Sequence, residues 1–193
     1  MKSHLIVGDT LRAVINYGNP VLARRNAETG ALSGVTVDLA NALAQRLNVK
    51  LTLTGVQNAA ASVAALTEGK VDLGFIAIDP ARAETVRFSP PYVVIEGAYA
   101  VPASSPITRN EEVDKKGVRV ATAKESAYDL FLTRNLKEAS IERTLTSAGV
   151  VQFMLEQKLE VAANIKQQLA IGKLRLGVTS TPRAPGAAPL TPL

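Results

Sequence analysis

The sequence predicts an α/β protein, and its 193 residues are enough for one compact domain or two small lobes. Two kinds of segment alternate along the chain. Some are apolar throughout or alternate apolar with polar residues, as strands do, and others repeat apolar residues at helical spacing. The stretch PASSPITRN, residues 102–110, is rich in Pro and Ser and is typical of a linker. We therefore expect a first lobe over residues 1–102, a second lobe over 103–178 and an irregular tail over 179–193.

The first lobe is predicted to contain three strands and two long helices. Residues 36–47 form the clearest helix, because Val37, Ala40 and Ala44 recur on one face. Asp38 lies in its first turn, where a carboxylate favours the helix dipole. The other predicted elements are strands over 11–16, 49–54 and 71–78, a hairpin-like loop over 27–34, and an Ala-rich helix over 58–68 that ends at Gly69.

The stretch EGKVDLGFIAIDPARAETVRFSPPY, residues 68–92, combines a strand with a helix start. Its apolar run ends at Asp79-Pro80, which is a good helix opening with Asp79 as N-cap and Pro80 at the first helical position. Arg82 then falls in the first turn, where unpaired backbone N–H groups favour an anion and a guanidinium can hold a carboxylate bidentately. This stretch is therefore predicted to form an anion-binding corner.

The second lobe is predicted to alternate strands and helices in the same way. Residues 93–101 form an extended segment that leads into the linker, and Ser126 is a natural N-cap for a helix over 127–136. Further strands are expected over 116–122, 141–146, 159–163 and 173–178, with helices over 149–158 and 165–171. From residue 179 the chain is rich in Pro and Ala and has no periodicity, which is typical of a loosely attached tail.

Composition excludes several classes of function. The chain has no cysteine and one histidine, His4, which excludes disulfides, thiol catalysis and multi-histidine metal sites, and we expect no metal and no cofactor. The net charge is +5, but basic residues hardly cluster and there is no Trp, so nucleic-acid binding is not expected. No apolar run reaches membrane-spanning length, and the N-terminus lacks the hydrophobic core of an export signal.

The segment GKVDLGFIAIDPARAETVRFSPPY resembles a signature of the solute-binding proteins of bacterial ABC importers, family 3 type, for amino acids and related solutes. The resemblance implies a type II periplasmic-binding-protein fold, in which two lobes, each a sheet flanked by helices, border a ligand cleft. In that family the arginine of this turn holds the α-carboxylate of the ligand, a role that would fall on Arg82. The chain departs from the signature at Asp79, where the family usually has Thr.

The same resemblance implies further ligand-binding positions. They are Asn16 and Tyr17 after the first strand, Asn58 beside Gln57, Ala77 in place of a common serine, Ser126 opposite the arginine, and Asn164 in place of an acid that meets the ligand's amino group. At Tyr17 an exposed turn residue remains an alternative, and at Ser126 helix capping without ligand contact does. Glu125 stands where the family typically has glycine, and Glu160 where a second Gly-Lys-x-Asp motif has aspartate.

The resemblance implies an extracytoplasmic protein that captures a small carboxylate-bearing solute, an amino acid or a related compound, for the membrane subunits of an ABC importer. We expect it to be periplasmic and not an enzyme. One alternative is a cyclohexadienyl-dehydratase-like enzyme on the same fold, with Asp79, Glu125 or Glu160 as acid–base groups. Another is a truncated binding or sensory module, because the strand that should return through the hinge is not evident. In that case exposed first-lobe surface would favour a homodimer.

Overall fold

A computed structural model describes residues 8–170 with their side chains and residues 174–176 as backbone. The first lobe is built on a three-stranded parallel sheet whose central strand is β1 (Thr10–Asn16). It is flanked by β4 (Lys50–Val56) and by the very short β5 (Leu73–Gly74). Every residue of β1 from Leu11 to Ile15 except Arg12 is fully buried, as expected of a parallel strand covered on both faces.

Two helices cover the faces of this sheet. Helix α1 (Val35–Leu47) packs Val37 against one face of β1, and α2 (Ala59–Thr67) packs Ala65 against the other. Helix α1 ends at Asn48, which adopts a left-handed conformation with φ 53°. The other elements of this lobe are the hairpin of β2 (Arg24–Arg25) with β3 (Leu32–Ser33) and the short α3 (Pro80–Ala83).

The second lobe contains a five-stranded mixed sheet in the order β10-β6-β9-β7-β8. Its strands are β6 (Gly97–Pro102), β7 (Arg119–Ala123), β8 (Ser140–Thr144), β9 (Val161–Ile165) and β10 (Leu174–Leu176). Strand β6 belongs to this sheet, although it precedes the predicted linker, and β10 pairs antiparallel with it. The boundary at residue 102 remains a prediction, and the predicted tail and any return of the chain through the hinge lie outside the described residues.

Helices cover this second sheet on both faces. Helix α4 (Ala127–Asn135) packs Leu132 against the face that carries Val120, whereas α5 (Val150–Glu156) packs Met154 against the face that carries Ala121. The alternation of Val120 and Ala121 between two cores follows from the two-residue period of a strand. Short α6 (Lys166–Leu169) and two 3₁₀ turns, Asn110–Glu112 and Ser147–Gly149, complete the lobe.

The predicted strand over 71–78 is wrong in extent. Only Leu73 and Gly74 pair with β1, and the residues that follow leave the sheet. The apolar run is instead explained by side-chain packing, since Phe75 joins the core around Ile15 and meets Tyr92 edge-to-face with ring centroids 5.7 Å apart. The other predicted elements that fall within the described residues are present, with ends shifted by at most four residues.

An arginine–acid pair recurs at the same place in both lobes. Arg12 on β1 donates through its backbone N–H and its guanidinium to Asp72, just before β5. Arg119 on β7 makes the same three contacts to Glu160, just before β9. The acid of each Gly-Lys-x-Asp-like segment therefore ties the start of one strand to its parallel neighbour, β5 to β1 and β9 to β7.

These pairs make stability depend on pH. Hydrogen bonds from Arg12 lower the pKa of Asp72, and hydrogen bonds from Arg119 lower that of Glu160, both against the opposing effect of burial. Because these pKa values are lower in the folded chain than in the unfolded one, the unfolded chain takes up protons first as the pH falls. The stabilisation is complete above the ordinary values of 3.8 and 4.5 and is lost as the pH falls below them.

We expect the free energy of unfolding in urea to fall steeply between about pH 5 and pH 2. The double variant Asp72→Asn with Glu160→Gln should show lower stability at pH 7 and a shallower pH dependence. Glu84→Gln, which changes an exposed carboxylate, serves as the control and should retain the wild-type slope. An unchanged slope in the double variant would contradict this assignment.

Candidate functional site

The helix opening predicted at Asp79-Pro80 is confirmed. Asp79 is the N-cap of α3 and accepts a 3.0 Å hydrogen bond from the N–H of Ala81, with Pro80 at the first helical position. Both Asp79 and Arg82 are buried, with 4% and 5% of their surface exposed. This local turn, which follows β5, therefore buries a carboxylate and a guanidinium close together.

Among the described residues, the Arg82 guanidinium is bonded only to neutral acceptors. Its Nη1 donates to the carbonyl oxygen of Ala77 at 3.0 Å, and its Nη2 donates to that of Glu125 in the second lobe at 2.7 Å. No carboxylate of residues 8–170 lies within ion-pair distance of it. Burial lowers the pKa of Arg82, an effect that the charges of Asp79 and Glu125 oppose. Arg82 is therefore a buried cation at the junction of the lobes.

Asp79 is paired with an arginine that the sequence analysis did not single out. Arg134, at the end of α4 in the second lobe, donates from Nη2 to Oδ2 of Asp79 at 2.8 Å and from Nη1 to Oδ1 at 3.2 Å. This bidentate geometry joins the two lobes beside the Arg82–Glu125 contact. No signal in the sequence indicated the pair, because its members lie 55 positions apart.

Across the junction, Arg82 faces the turn of the second lobe that opens α4. Ser126 is buried and its Oγ accepts from the N–H of Asp129 at 3.1 Å, so the predicted N-cap is confirmed. Glu125 has a φ of 55°, a conformation that favours the glycine expected there, and its N–H donates to Asp129 Oδ2 at 2.8 Å. Arg143 in turn holds Asp129 at 2.9 Å. The carbonyl of Glu125 is thereby fixed towards Arg82.

Tyr17 borders an open pocket of about 840 Å³ on the first lobe, which Gln57 also lines. Arg25 from the hairpin lies over the Tyr17 ring, with its guanidinium carbon 5.5 Å from the ring centroid. The two loops that carry Tyr17 and Gln57 meet closely at Gly18, where a β-carbon would lie 1.7 Å from the Gln57 carbonyl oxygen. This pocket is lined by Tyr17, Arg24, Arg25, Asn26, Ala27, Glu28, Thr29, Gly30 and Gln57.

Three asparagines that were predicted to bind the ligand form side-chain hydrogen bonds within their own lobe. Asn16 accepts from the Gly18 N–H at 3.0 Å, and Asn58 caps α2 by accepting from the Ala61 N–H at 2.8 Å. Asn164 is 1% exposed and donates to the Ser147 carbonyl at 2.6 Å. The structure thus brings together Ala77, Arg82 and the Glu125–Ser126 turn, and it places Asn164 inside the second lobe.

No helix among the described residues has the length and apolar character needed to cross a membrane. A search of curated proteins finds no match to this chain. Among solved structures, an ancestral amino acid-binding protein described as a precursor of cyclohexadienyl dehydratase is similar, with 22% identity over 90% of this chain and 79% of the other and a TM-score of 0.76.

Two ligand complexes are similar as well. A putative ABC-transporter binding component from Wolinella succinogenes DSM 1740, complexed with lysine, shares 22% identity over 88% of this chain and 77% of the other, with a TM-score of 0.73. An ancestral arginine-binding protein bound to arginine shares 20% identity over 90% and 80%, with a TM-score of 0.75. These likenesses confirm the predicted two-lobe fold with helices flanking each sheet.

The family is given by a separate comparison with family models. The model that matches describes bacterial extracellular solute-binding proteins, family 3, and it covers residues 11–172. That range includes the three sites described above, the Arg82 corner, the Glu125–Ser126 turn and the pocket beside Tyr17. The chain therefore belongs to the bacterial extracellular solute-binding proteins of family 3, as the resemblance of its sequence predicted.

Proposed function

We propose that this protein captures a small carboxylate-bearing solute, an amino acid or a close relative, between its two lobes, outside the cytoplasm and for an ABC importer. The observation that carries the proposal is the buried guanidinium of Arg82, whose partners among residues 8–170 are carbonyl oxygens. A buried charge is costly unless an opposite charge compensates it. A ligand carboxylate supplies that charge and accepts two parallel hydrogen bonds from the guanidinium.

The position of Arg82 also links ligand capture to lobe closure. Arg82 belongs to the first lobe, and its Nη2 reaches the Glu125 carbonyl in the second lobe at 2.7 Å. A carboxylate beside Arg82 would adjoin Ser126, whose hydroxyl accepts from Asp129 and still has its proton to donate. Ligand contacts to both walls would favour the closed arrangement over an open one, as in hinge-type domain closure.

The remaining predicted site residues are proposed to act around this centre. Ala77 supplies a carbonyl acceptor beside Arg82, and Tyr17, which lines a pocket of the first lobe, is proposed to contact the rest of the ligand. Asn16, Asn58 and Asn164 are proposed to hold loops and helix ends in place, since each of their side chains is bonded within its own lobe. Lobe boundaries at residues 102 and 178 are part of the same proposal.

No contact among residues 8–170 favours the dehydratase alternative. Of its candidate acid–base groups, Asp79 is held by Arg134 and Glu160 by Arg119. Glu125 directs its carboxylate towards Lys124 at 3.9 Å and is half exposed. Asp79 and Glu160 are thus engaged in bidentate arginine pairs, whereas general acid–base catalysis needs a group within hydrogen-bond reach of the substrate.

A first-lobe homodimer also remains a proposal. Three consecutive apolar residues, Tyr92, Val93 and Val94, are exposed by 46%, 44% and 73%. Adjacent exposed apolar side chains of this kind favour association.

A thermal-shift panel tests the proposed function. Lysine, arginine, glutamine and cysteine are suitable first ligands, together with small organic acids. At about 100 times its Kd, a ligand adds about 2.7 kcal/mol to the free energy of unfolding. In a chain of this size we expect Tm to rise by about 5 to 10 °C. If the folded protein shows no shift with any carboxylate compound, solute capture is not its function.

A further inference from the structure

The Asp79 carboxylate lies between two arginines and is bonded to only one of them. It is next to Arg82 in the same turn, and its charge opposes the effect of burial on the pKa of that guanidinium. Its Oδ1 accepts from the Ala81 N–H and from Arg134 Nη1, and its Oδ2 accepts from Arg134 Nη2. Both oxygens are therefore occupied by groups other than Arg82.

We propose that Arg134 is a positioning residue for ligand binding: by pairing with Asp79 across the lobes, it leaves the Arg82 charge available to a ligand carboxylate and holds the lobes together. The first part of this proposal, that Arg82 is left available to a ligand, rests on the proposed function. The second part, that the Asp79–Arg134 pair is a clamp between the lobes, concerns the protein alone. An unpaired Asp79 would neutralise the charge of Arg82, the proposed carboxylate receptor. Arg134 prevents this by pairing with Asp79.

The charges of the junction support this assignment. Asp79 is 4% exposed, so it must remain paired with a cation or become an uncompensated buried charge. Within the described residues its ion-pair partner is Arg134, whose side chain is 44% exposed and reaches in from the edge of the junction. Together Asp79, Arg134 and Arg82 carry one net positive charge, which is located on Arg82. When the lobes separate, Arg134 leaves and Asp79 is free to turn to Arg82.

Two consequences follow from this arrangement. In the closed form Arg82 attracts a carboxylate, because Asp79 is satisfied elsewhere. In the open form Asp79 competes with the ligand for Arg82, which would promote release. Arg134 thus couples the affinity of the site to the separation of the lobes, as a ligand-linked two-state equilibrium requires.

The clamp is tested without ligand by the distance between spin labels on the two lobes. The chain has no cysteine, so Gln45→Cys on α1 and Lys137→Cys after α4 give a single exposed label pair. Double electron–electron resonance on the labelled full chain is then compared with the same chain carrying Arg134→Gln. We expect Arg134→Gln to lengthen and broaden the distance distribution. An unchanged distribution would overturn the proposal.

Calorimetric titration with L-lysine, L-arginine, L-glutamine and L-cysteine tests the coupling to the ligand. Arg134→Gln should weaken binding of the amino acid that the wild type binds by about 10-fold or more. In an Asp79→Asn background, which retains an N-cap side chain, the same change should alter Kd by less than about two-fold. An equal loss in both backgrounds would overturn the role of the pair in freeing Arg82.

Arg119→Gln is the matched control. Arg119 also forms a bidentate pair with a carboxylate and is exposed to nearly the same extent as Arg134, 41% against 44%, but its partner Glu160 is in its own lobe. It should leave both the label distance and the Kd unchanged. Ligand binding and the clamp can fail separately. A wild type that binds none of the four amino acids counts against this part of the proposed function. The label distances test the clamp in either case.

Discussion

Replacing Arg82 with alanine is expected to weaken ligand binding by about 100-fold or more, measured by calorimetry. The guanidinium is 5% exposed and, within the part of the chain that the structure describes, is bonded only to the carbonyl oxygens of Ala77 and Glu125. Its loss removes the one buried positive charge that lacks a carboxylate partner at the lobe junction of the described chain. A ligand carboxylate in the variant would be desolvated with no cation beside it, which is the costly half of a broken charge pair.

Arg87→Ala provides the comparison for this variant. Arg87 lies five residues further along the same segment and is exposed, so its removal should leave affinity within about two-fold of the wild type. Arg82→Lys retains the charge but replaces a planar fork by a single ammonium, and it should fall between the wild type and the alanine variant. Unchanged affinity in Arg82→Ala, with the circular-dichroism spectrum preserved, would contradict the assignment of Arg82.

Gly18→Ala is expected to lower the free energy of unfolding by about 2 kcal/mol or more. A β-carbon at this position would lie 1.7 Å from the carbonyl oxygen of Gln57, and a backbone atom cannot move away as a flexible side chain can. The loop is also fixed by hydrogen bonds from the Tyr17 N–H to Val56 and from the Gly18 N–H to Asn16. The substitution must therefore push apart the two loops beside the pocket.

The effect of Gly18→Ala is measured by urea or thermal unfolding, where Tm should fall by about 4 °C or more. Gly149→Ala is the matched control, because Gly149 has an ordinary helical φ of −84° and the nearest atom to its added β-carbon would be Thr146 Oγ1 at 3.5 Å. That variant should be as stable as the wild type or slightly more stable. Equal effects of the two substitutions would show that the close approach at Gly18 is not maintained in solution.

The corner at Asp79 was predictable because its interactions are local. An N-cap, the proline after it and the helix that they open span only a few residues, so sequence spacing determines them. The same holds for Ser126 before α4 and for α1, whose apolar spacing alone defines its buried face. Residues 71–78 show the limit of that reasoning, because an apolar run indicates burial but does not reveal whether a neighbouring strand pairs with it.

The long-range charge pairs were not predictable from the same patterns. Asp79 and Arg134 are 55 positions apart, and Arg12 and Asp72 are 60 apart. Only the fold brings these groups within hydrogen-bond distance, and composition gives no preference for one arginine over another. The sequence indicated that Asp79 was unusual at its position. The structure supplies its partner, Arg134, which pairs with this carboxylate beside Arg82.

The most direct measurement compares the amino acid that gives the largest thermal shift with its carboxamide, in which a neutral amide replaces the α-carboxylate. Calorimetric titration of both into the wild-type protein isolates the group that Arg82 is proposed to hold. The account predicts saturable one-to-one binding of the amino acid and binding of the carboxamide that is weaker by about 100-fold or more. Equal affinity for the two compounds would contradict it, because the buried guanidinium would then not be the carboxylate receptor.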